Sequence, residues 1–197
     1  MKLRCYLAIL NSAICLMPAL AAQNEGAMLN EYLEKMAACR DAYRVRHYFE
    51  AESLCEAALK LADQLLPQRK LERMTAHAMY GQILIAEHKL PEALVQTQQE
   101  LSIAETFMKS DDPDLGYAYY HEAIALHMNA KVQSALVHYK EAEEILRQAV
   151  EHAADESLKN QYAATLGQVV KAHAALLRQT GHAAAAAELE HEASRTK

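Results

Sequence analysis

The side chains most able to do chemistry in this sequence are its ten histidines and four cysteines. Neither set has the spacing of a known reactive site, because no His-Glu-x-x-His string occurs and no two cysteines have zinc-site spacing. The glycines are dispersed, so they form no phosphate-binding loop, and no serine lies in a nucleophile-elbow context. The sequence therefore predicts a protein that is not an enzyme and has no cofactor and no metal site.

The composition predicts an all-α chain. Alanine, which has the highest helix propensity, is abundant, whereas there are only 5 glycines and 4 prolines in 197 residues. Sheets need turn residues and β-branched or aromatic pairs, and their scarcity excludes a sandwich, a barrel or a doubly wound nucleotide-binding fold. With 20 basic and 26 acidic residues the net charge is −6, which argues against non-specific nucleic-acid binding.

Residues 1–21 have the pattern of a bacterial signal peptide. A short basic start is followed by an uncharged apolar stretch over residues 5–20, and residues 19–21 supply the small side chains that signal peptidase reads. The alternatives are a transmembrane anchor, which needs roughly 20 apolar residues, and a lipoprotein site at Cys15, which the bulky Ile14 before it disfavours. Cleavage after Ala21 predicts a periplasmic or secreted protein that is not inserted in the membrane.

A repeat with a spacing of 42 residues covers the rest of the chain. Similar segments are centred on Ala51, Ala93 and Ala135, and a fourth follows at Ala186 after a longer gap. Each has an upstream partner with apolar residues at helical spacing, so the repeating unit is helix, turn, helix. The predicted domain spans residues 22–197, with repeats at approximately 28–66, 70–109, 113–151 and 156–195.

These hairpins resemble the tetratricopeptide repeat (TPR), and the Pro113-Asp114 step with the 42-residue spacing is similar to the kinesin light chain type. That family places a small residue in the first helix, then an alanine, an aromatic residue and a further alanine in the second. Those places hold Cys39, Ala51, Cys55 and Ala58; Gly81, Ala93, Thr97 and Glu100; Ala123, Ala135, Tyr139 and Ala142; and Ala174, Ala186, Glu190 and Ala193. The resemblance implies an all-α superhelix, or solenoid, of about four antiparallel hairpins.

Two cysteines, Cys39 and Cys55, remain after signal cleavage. The resemblance places them at facing positions of the first hairpin, and an exported protein folds in an oxidising compartment. We therefore predict a disulfide between them. The alternative is that both are buried thiols acting as small hydrophobic residues.

The resemblance also implies a concave groove lined by the first helix of each repeat. Tyrosine is the predominant aromatic residue, with 10 Tyr against 2 Phe and no Trp. Its ring can be buried while its hydroxyl contacts water or a ligand, which suits a binding surface. The groove prediction comprises Met36, Arg40 and Tyr43; Ala78, Gln82 and Ile85; Tyr117, Tyr120, Ile124 and His127; and Lys171, Ala175 and Arg178. We interpret the histidines as scattered surface or packing residues, some of which make binding sensitive to pH near 6.

The function implied by this resemblance is a non-catalytic, exported interaction module whose partner is another protein or a peptide segment with some acidic character. Homo-oligomers are a possible form. Two alternatives are a helical protein that binds a small molecule or a metal, and a self-associating structural protein, which an exposed apolar face on an end hairpin would favour.

Overall fold

The computed structural model describes residues 24–64 and 69–195, and within them it contains helices and no strand. The predicted signal peptide lies outside the described residues. The helices are α1 (residues 24–44), α2 (Tyr48–Gln64), α3 (Lys70–Ala86), α4 (Leu90–Phe107), α5 (Pro113–Met128), α6 (Val132–Glu151), α7 (Glu156–Gln179) and α8 (Ala183–Arg195). The prediction of an all-α helical-repeat fold is confirmed.

The chain divides into two compact units at Arg69 and Lys70. Unit 1 holds α1 and α2, which form the first hairpin. Unit 2 holds the other three hairpins, α3–α4, α5–α6 and α7–α8, and in it each helix also packs against the next one in sequence. Each predicted repeat therefore corresponds to one helical hairpin.

All four hairpins turn through a residue with left-handed backbone. These residues are Arg46 (φ 64°), His88 (φ 60°), Ala130 (φ 58°) and Gly181 (φ 84°). The next N–H then bonds back across the turn, as in Lys131 N–H to the carbonyl of Leu126 at 2.9 Å. The turns are spaced 42, 42 and 51 residues apart, which is also the spacing of the repeated alanines.

Replacing Ala130 by glycine is expected to stabilise the protein by about 1 kcal/mol, because the left-handed conformation strains any residue that has a Cβ atom. The fourth hairpin already has glycine there, so Gly181→Ala is the matched reverse change and should cost a similar amount. Urea denaturation of both variants measures the two effects. An Ala130→Gly protein less stable than the wild type would contradict this account.

Small residues lie where the two helices of a hairpin cross. Ala51, Ala93, Ala135 and Ala186 are all 0% exposed, as are Cys39, Ala123 and Ala174 in the first helices. At the remaining place, a Cβ atom on Gly81 would lie 2.9 Å from Cγ2 of Thr97. The helices of each hairpin therefore approach closely because these positions carry little or no side chain.

Two aspartates cap the first helices of the third and fourth hairpins. The Asp112 carboxylate accepts a hydrogen bond from the N–H of Asp114 at 3.0 Å, with Pro113 as the first helical residue. The Asp155 carboxylate likewise accepts from the N–H of Leu158 at 2.8 Å. These caps set where α5 and α7 begin, and thereby which of their side chains face the neighbouring hairpins.

Candidate interaction surface

The first helices of the three hairpins of unit 2 lie side by side, because α5 contacts both α3 and α7. The groove residues predicted on these helices all keep some solvent exposure in the structure. They are Ala78, Gln82 and Ile85 on α3, Tyr117, Tyr120, Ile124 and His127 on α5, and Lys171, Ala175 and Arg178 on α7. We call this set the first-helix surface.

Two hydrogen bonds connect neighbouring first helices. Nε2 of Gln82 lies 3.1 Å from Nε2 of His121, and Nε2 of His127 lies 3.0 Å from Oε1 of Gln179. Each glutamine amide carries two N–H donors and an oxygen that accepts two hydrogen bonds, so it retains further capacity after bonding to histidine. The surface therefore presents amide groups beside its aromatic rings.

His121 forms an ion pair with a buried carboxylate on the preceding hairpin. Its Nδ1 lies 2.8 and 3.1 Å from the two carboxylate oxygens of Glu100, and the Glu100 side chain is only 3% exposed. Burial lowers the pKa of His121, but the charge of Glu100 and the hydrogen bond to it outweigh burial, so the pKa lies above its ordinary value. In the neutral form, Nδ1–H donates to Glu100 while Nε2 accepts from Gln82.

The next hairpin interface repeats this arrangement. Nδ1 of His173 on α7 lies 2.7 Å from Oε1 of Glu143 on α6, and the two side chains are 12% and 9% exposed. At both interfaces a histidine of a first helix pairs with a glutamate of the preceding second helix. Such pairs need close geometry to offset the cost of burying charge, so they fix how successive hairpins meet.

Tyr139 is buried in unit 2 and packs against two residues of the first-helix surface, Tyr120 and His127. It is 1% exposed, and its ring stacks on His173 at 5.8 Å and lies 6.3 Å from the rings of both Tyr120 and His127. Its hydroxyl is 3.4 Å from Nδ1 of His127. We call Tyr120, His127, Tyr139 and His173 the Tyr139 cluster, and it joins α5, α6 and α7.

A third histidine–glutamate pair on α5 and α6 behaves differently. Nδ1 of His138 lies 3.5 Å from Oε2 of Glu122. Burial lowers the pKa of His138 and raises the pKa of Glu122, which favours the neutral form of each. Burial also raises the pKa of the adjacent Tyr119 to about 12, with a further contribution from the hydrogen bond of its hydroxyl to Glu105. This side of α5 is therefore a packing interface.

The structure shows that His121, His127 and His173 are packing residues, and ring contacts through Tyr120 and Tyr139 connect the three. The sequence did not identify Glu100 and Glu143 as partners of His121 and His173. A signal was present at Glu100, which occupies a place where the family has alanine. A carboxylate at a position expected to be buried requires a partner.

The basic residues among the predicted groove residues have different surroundings. Lys171 is exposed, whereas Arg178 is paired with Glu190 on α8. In unit 1, Arg40 is exposed and the ring of Tyr43 lies 5.7 Å from that of Tyr48. The prediction that Met36 lines the groove is wrong, because Met36 is 2% exposed and belongs to the interior of unit 1.

Cys39 and Cys55 are 0% exposed thiols in hydrogen-bonding contact. The hydrogen bond from Cys55 lowers the pKa of Cys39, whereas the same bond and burial raise the pKa of Cys55. The structure brings together the two residues that the predicted disulfide joins, and the bond itself stays a prediction.

Oxidation of this pair is expected to stabilise the protein by up to about 3 kcal/mol, the value for a closed loop of about 15 residues. A disulfide reagent such as oxidised glutathione would accept the two electrons and two protons that the thiols lose. Intact mass measures the loss of two hydrogen atoms, and urea denaturation with and without dithiothreitol measures the stability change. The double variant Cys39→Ala, Cys55→Ala is the control. Two alkylatable thiols in protein purified from an oxidising compartment without reductant would contradict the disulfide.

Within residues 24–64 and 69–195, no three His, Cys, Asp or Glu side chains are grouped so that they could hold a metal ion. In the same part of the chain, no helix combines the length and the apolar character needed to cross a bilayer.

The fold is that of TPR-like and kinesin light chain-like helical repeat proteins. BtubC (BKLC) from P. vanneervenii superposes with a TM-score of 0.70 at 16% identity over 82% of this chain, which spans 61% of the BtubC chain. A TPR-like protein from Chlorobium tepidum gives a TM-score of 0.55 at 15% identity, over 74% of this chain and 98% of that one.

The kinesin light chain nearly identical TPR-like repeats of Podosopora anserina give a TM-score of 0.54 at 17% identity, over 83% of this chain and 93% of that chain. No protein-family model matches the sequence, and no curated protein matches it. At these identities the likeness concerns the fold alone.

Proposed function

We propose that this protein is an exported, non-catalytic interaction module that binds an extended segment of a partner protein on its first-helix surface. Helical repeat proteins of this fold typically bind other proteins, and their extended surfaces suit elongated ligands. Export is supported by the signal-peptide pattern of residues 1–21.

The observation that carries this proposal is that the buried Tyr139 packs against Tyr120 and His127, two partly exposed side chains of α5. The rings of Tyr120 and His127 contact that of Tyr139, and the ring of His173, which is paired with Glu143, stacks on Tyr139. A tyrosine held in this way loses little conformational entropy when a ligand binds. Half-buried tyrosines are also among the residues that contribute most to binding energy at interfaces.

The polar groups on this surface suit the main chain of an extended peptide. The amides of Gln82 and Gln179 lie on either side of the aromatic residues and retain capacity to donate to carbonyls and accept from N–H groups. The exposed Lys171 favours a peptide with acidic character. We therefore propose an extended, aromatic- or aliphatic-containing peptide with at least one carboxylate.

A peptide selection tests the proposal. A displayed library of random peptides is selected on residues 22–197, and the affinities of the recovered peptides are then measured on two variants. Tyr120→Ala should weaken binding by about tenfold or more, as expected for a central tyrosine. Tyr119→Ala is the matched control, because its ring lies on the packing side of α5, beside His138.

Peptides that bind the Tyr120→Ala protein as tightly as the wild type would contradict the first-helix surface as the binding site. A selection that recovers no specific peptide would contradict the peptide-binding function itself. Export is tested separately by the intact mass of the protein from a bacterial periplasm, which should correspond to a chain beginning at Ala22.

A second candidate function is self-association, which the apolar turn of unit 1 favours. Phe49 is 82% exposed and Val45, four residues earlier, is 57% exposed. Burying such side chains against another copy is favourable. Sedimentation equilibrium of the wild type and of Phe49→Ser tests this candidate, and monomers for both would exclude it.

A further inference from the structure

The amide of Gln82, on the first-helix surface, faces a histidine whose other nitrogen is held by a carboxylate. Nε2 of His121 lies 3.1 Å from Nε2 of Gln82, and Nδ1 of His121 lies 2.8 Å from a carboxylate oxygen of Glu100. An ionised carboxylate only accepts hydrogen bonds, so Nδ1 carries a proton in both charge states of the ring. The proton that the imidazole gains or loses is therefore the one on Nε2, the nitrogen that faces Gln82.

That proton determines which end of the Gln82 amide faces the ring. When Nε2 has no proton it accepts a hydrogen bond, so Gln82 turns its NH2 group towards it, as in the structure. When Nε2 is protonated it donates, so the same amide has to present its oxygen. Gln82 is partly exposed and the last torsion of a glutamine side chain is roughly two-fold, which allows this rotation. The group directed away from His121 is then the oxygen when the ring is neutral and the NH2 group when it is charged.

The amide of Gln179 does not respond in this way. Nε2 of His127 lies 3.0 Å from Oε1 of Gln179, an atom that can only accept, so this nitrogen is protonated already in the neutral ring. The proton that His127 gains on acidification goes to Nδ1, which lies 3.4 Å from the hydroxyl of Tyr139. Gln179 therefore keeps its orientation in both charge states and is an internal control for Gln82.

The charge that acts on His121 comes from α4. Burial lowers the pKa of His121, but the Glu100 carboxylate raises it by more, so the pKa lies above its ordinary value of about 6.5. Asp114 and Glu122, on α5 itself, interact electrostatically with Glu100, and α3 contributes the uncharged amide of Gln82. The histidines of α3, α6 and α7 are engaged in other pairs, namely His77 with Gln96, His138 with Glu122, and His173 with Glu143.

We propose that Gln82 is a proton-controlled specificity residue of the first-helix surface, which donates to a carbonyl or carboxylate of the peptide when His121 is charged and accepts from a peptide N–H when His121 is neutral. This inference rests on the proposed function, because it describes how the same surface selects its ligand. Protonation also leaves the pair of His121 and Glu100 without net charge, which removes a negative charge beside Gln82. Both changes act in one direction, so acidification favours a peptide that places a carboxylate on Gln82.

The first experiment observes the amide in the free protein, residues 22–197, by nuclear magnetic resonance between pH 5.5 and 9. Nuclear Overhauser contacts between the Gln82 NH2 protons and the His121 ring protons should be strong at pH 9 and lost at pH 5.5. Their midpoint should coincide with that of the His121 ring nitrogen shifts. The contacts between Gln179 and the His127 ring should keep the same pattern throughout. A Gln82 contact that is unchanged across the titration of His121 would overturn the inference.

The second experiment measures the ligand. Histidine-free peptides that contain a carboxylate are selected from a displayed library at pH 5.5, and their affinities are measured at pH 5.5 and 9. Binding to the wild type should weaken by about tenfold at pH 9, the value of one hydrogen bond to a charged group. Gln82→Met has a similar length and no amide, so its affinity should change much less, whereas Gln179→Met, the matched control, should keep the wild-type pH dependence.

Ionisation of the peptide is common to the three proteins, so the comparison cancels it. Equal pH dependence of the wild type and of Gln82→Met would overturn the inference. Failure of the proposed function looks different: no peptide would be recovered at either pH, whereas the amide contacts are observed without a ligand.

Discussion

Replacing His121 by leucine is expected to lower the free energy of unfolding by about 3 kcal/mol near pH 6, measured by urea denaturation. The Glu100 carboxylate is 3% exposed and accepts its hydrogen bonds from His121 at 2.8 and 3.1 Å. Without the imidazole, a buried charge is left without its partner. The loss lies at the lower end of the range for broken buried pairs because His121 itself keeps 19% exposure.

A double variant separates this effect from simple loss of packing. Replacing both His121 and Glu100 by leucine removes the buried charge together with its partner, and such replacements are often nearly neutral. The double variant should therefore be more stable than His121→Leu alone. Equal stability of the single and double variants would contradict the account of His121 as the partner of a buried charge.

The same pair makes a pH-dependent contribution whose sign follows from the raised pKa of His121. A group whose pKa is raised by folding stabilises the folded state fully below its ordinary pKa of about 6.5, and that stabilisation is lost as pH rises through the folded-state pKa. The stability difference between the wild type and the double variant should therefore be greatest near pH 5 and decline towards pH 9. The lowered pKa of His138 acts in the opposite direction in both proteins, so the comparison cancels it.

Replacing Tyr139 by alanine is expected to cost about 3–5 kcal/mol, the range for large aromatic residues removed from a core. Tyr139 is 1% exposed and contacts the rings of three other side chains, Tyr120, His127 and His173. Its removal should also lower the affinity of any ligand that binds the first-helix surface, because Tyr120 and His127 lose their contacts with the Tyr139 ring. Urea denaturation measures the first effect, and affinity for selected peptides measures the second.

Tyr139→Phe is the control for this prediction. It keeps the ring stacked on His173 and removes only the hydroxyl, which lies 3.4 Å from His127. A hydrogen bond of this length contributes little, so the cost should be about 1 kcal/mol or less. If the phenylalanine variant were as unstable as the alanine variant, the hydroxyl and not the ring would be what holds the cluster together.

The repeat register could be predicted from sequence because its causes are local. Apolar spacing predicts helices, Asp112 and Pro113 predict a helix start, and small residues such as Ala135 predict close helix crossings. The left-handed turn residues are harder to predict from sequence. Only the turn at Gly181 carries a glycine, whereas His88 and Ala130 adopt the same conformation because the hairpin requires it.

The sequence by itself determined the class of fold, the number and spacing of the hairpins, and which helices carry the candidate surface. Only the tertiary structure decided that His121 meets Glu100, that His173 meets Glu143, and that Met36 is buried. The physical reason is distance along the chain. Partners 21 and 30 residues apart meet according to how neighbouring helices are rotated and crossed, and a rotation of one residue would place either carboxylate elsewhere.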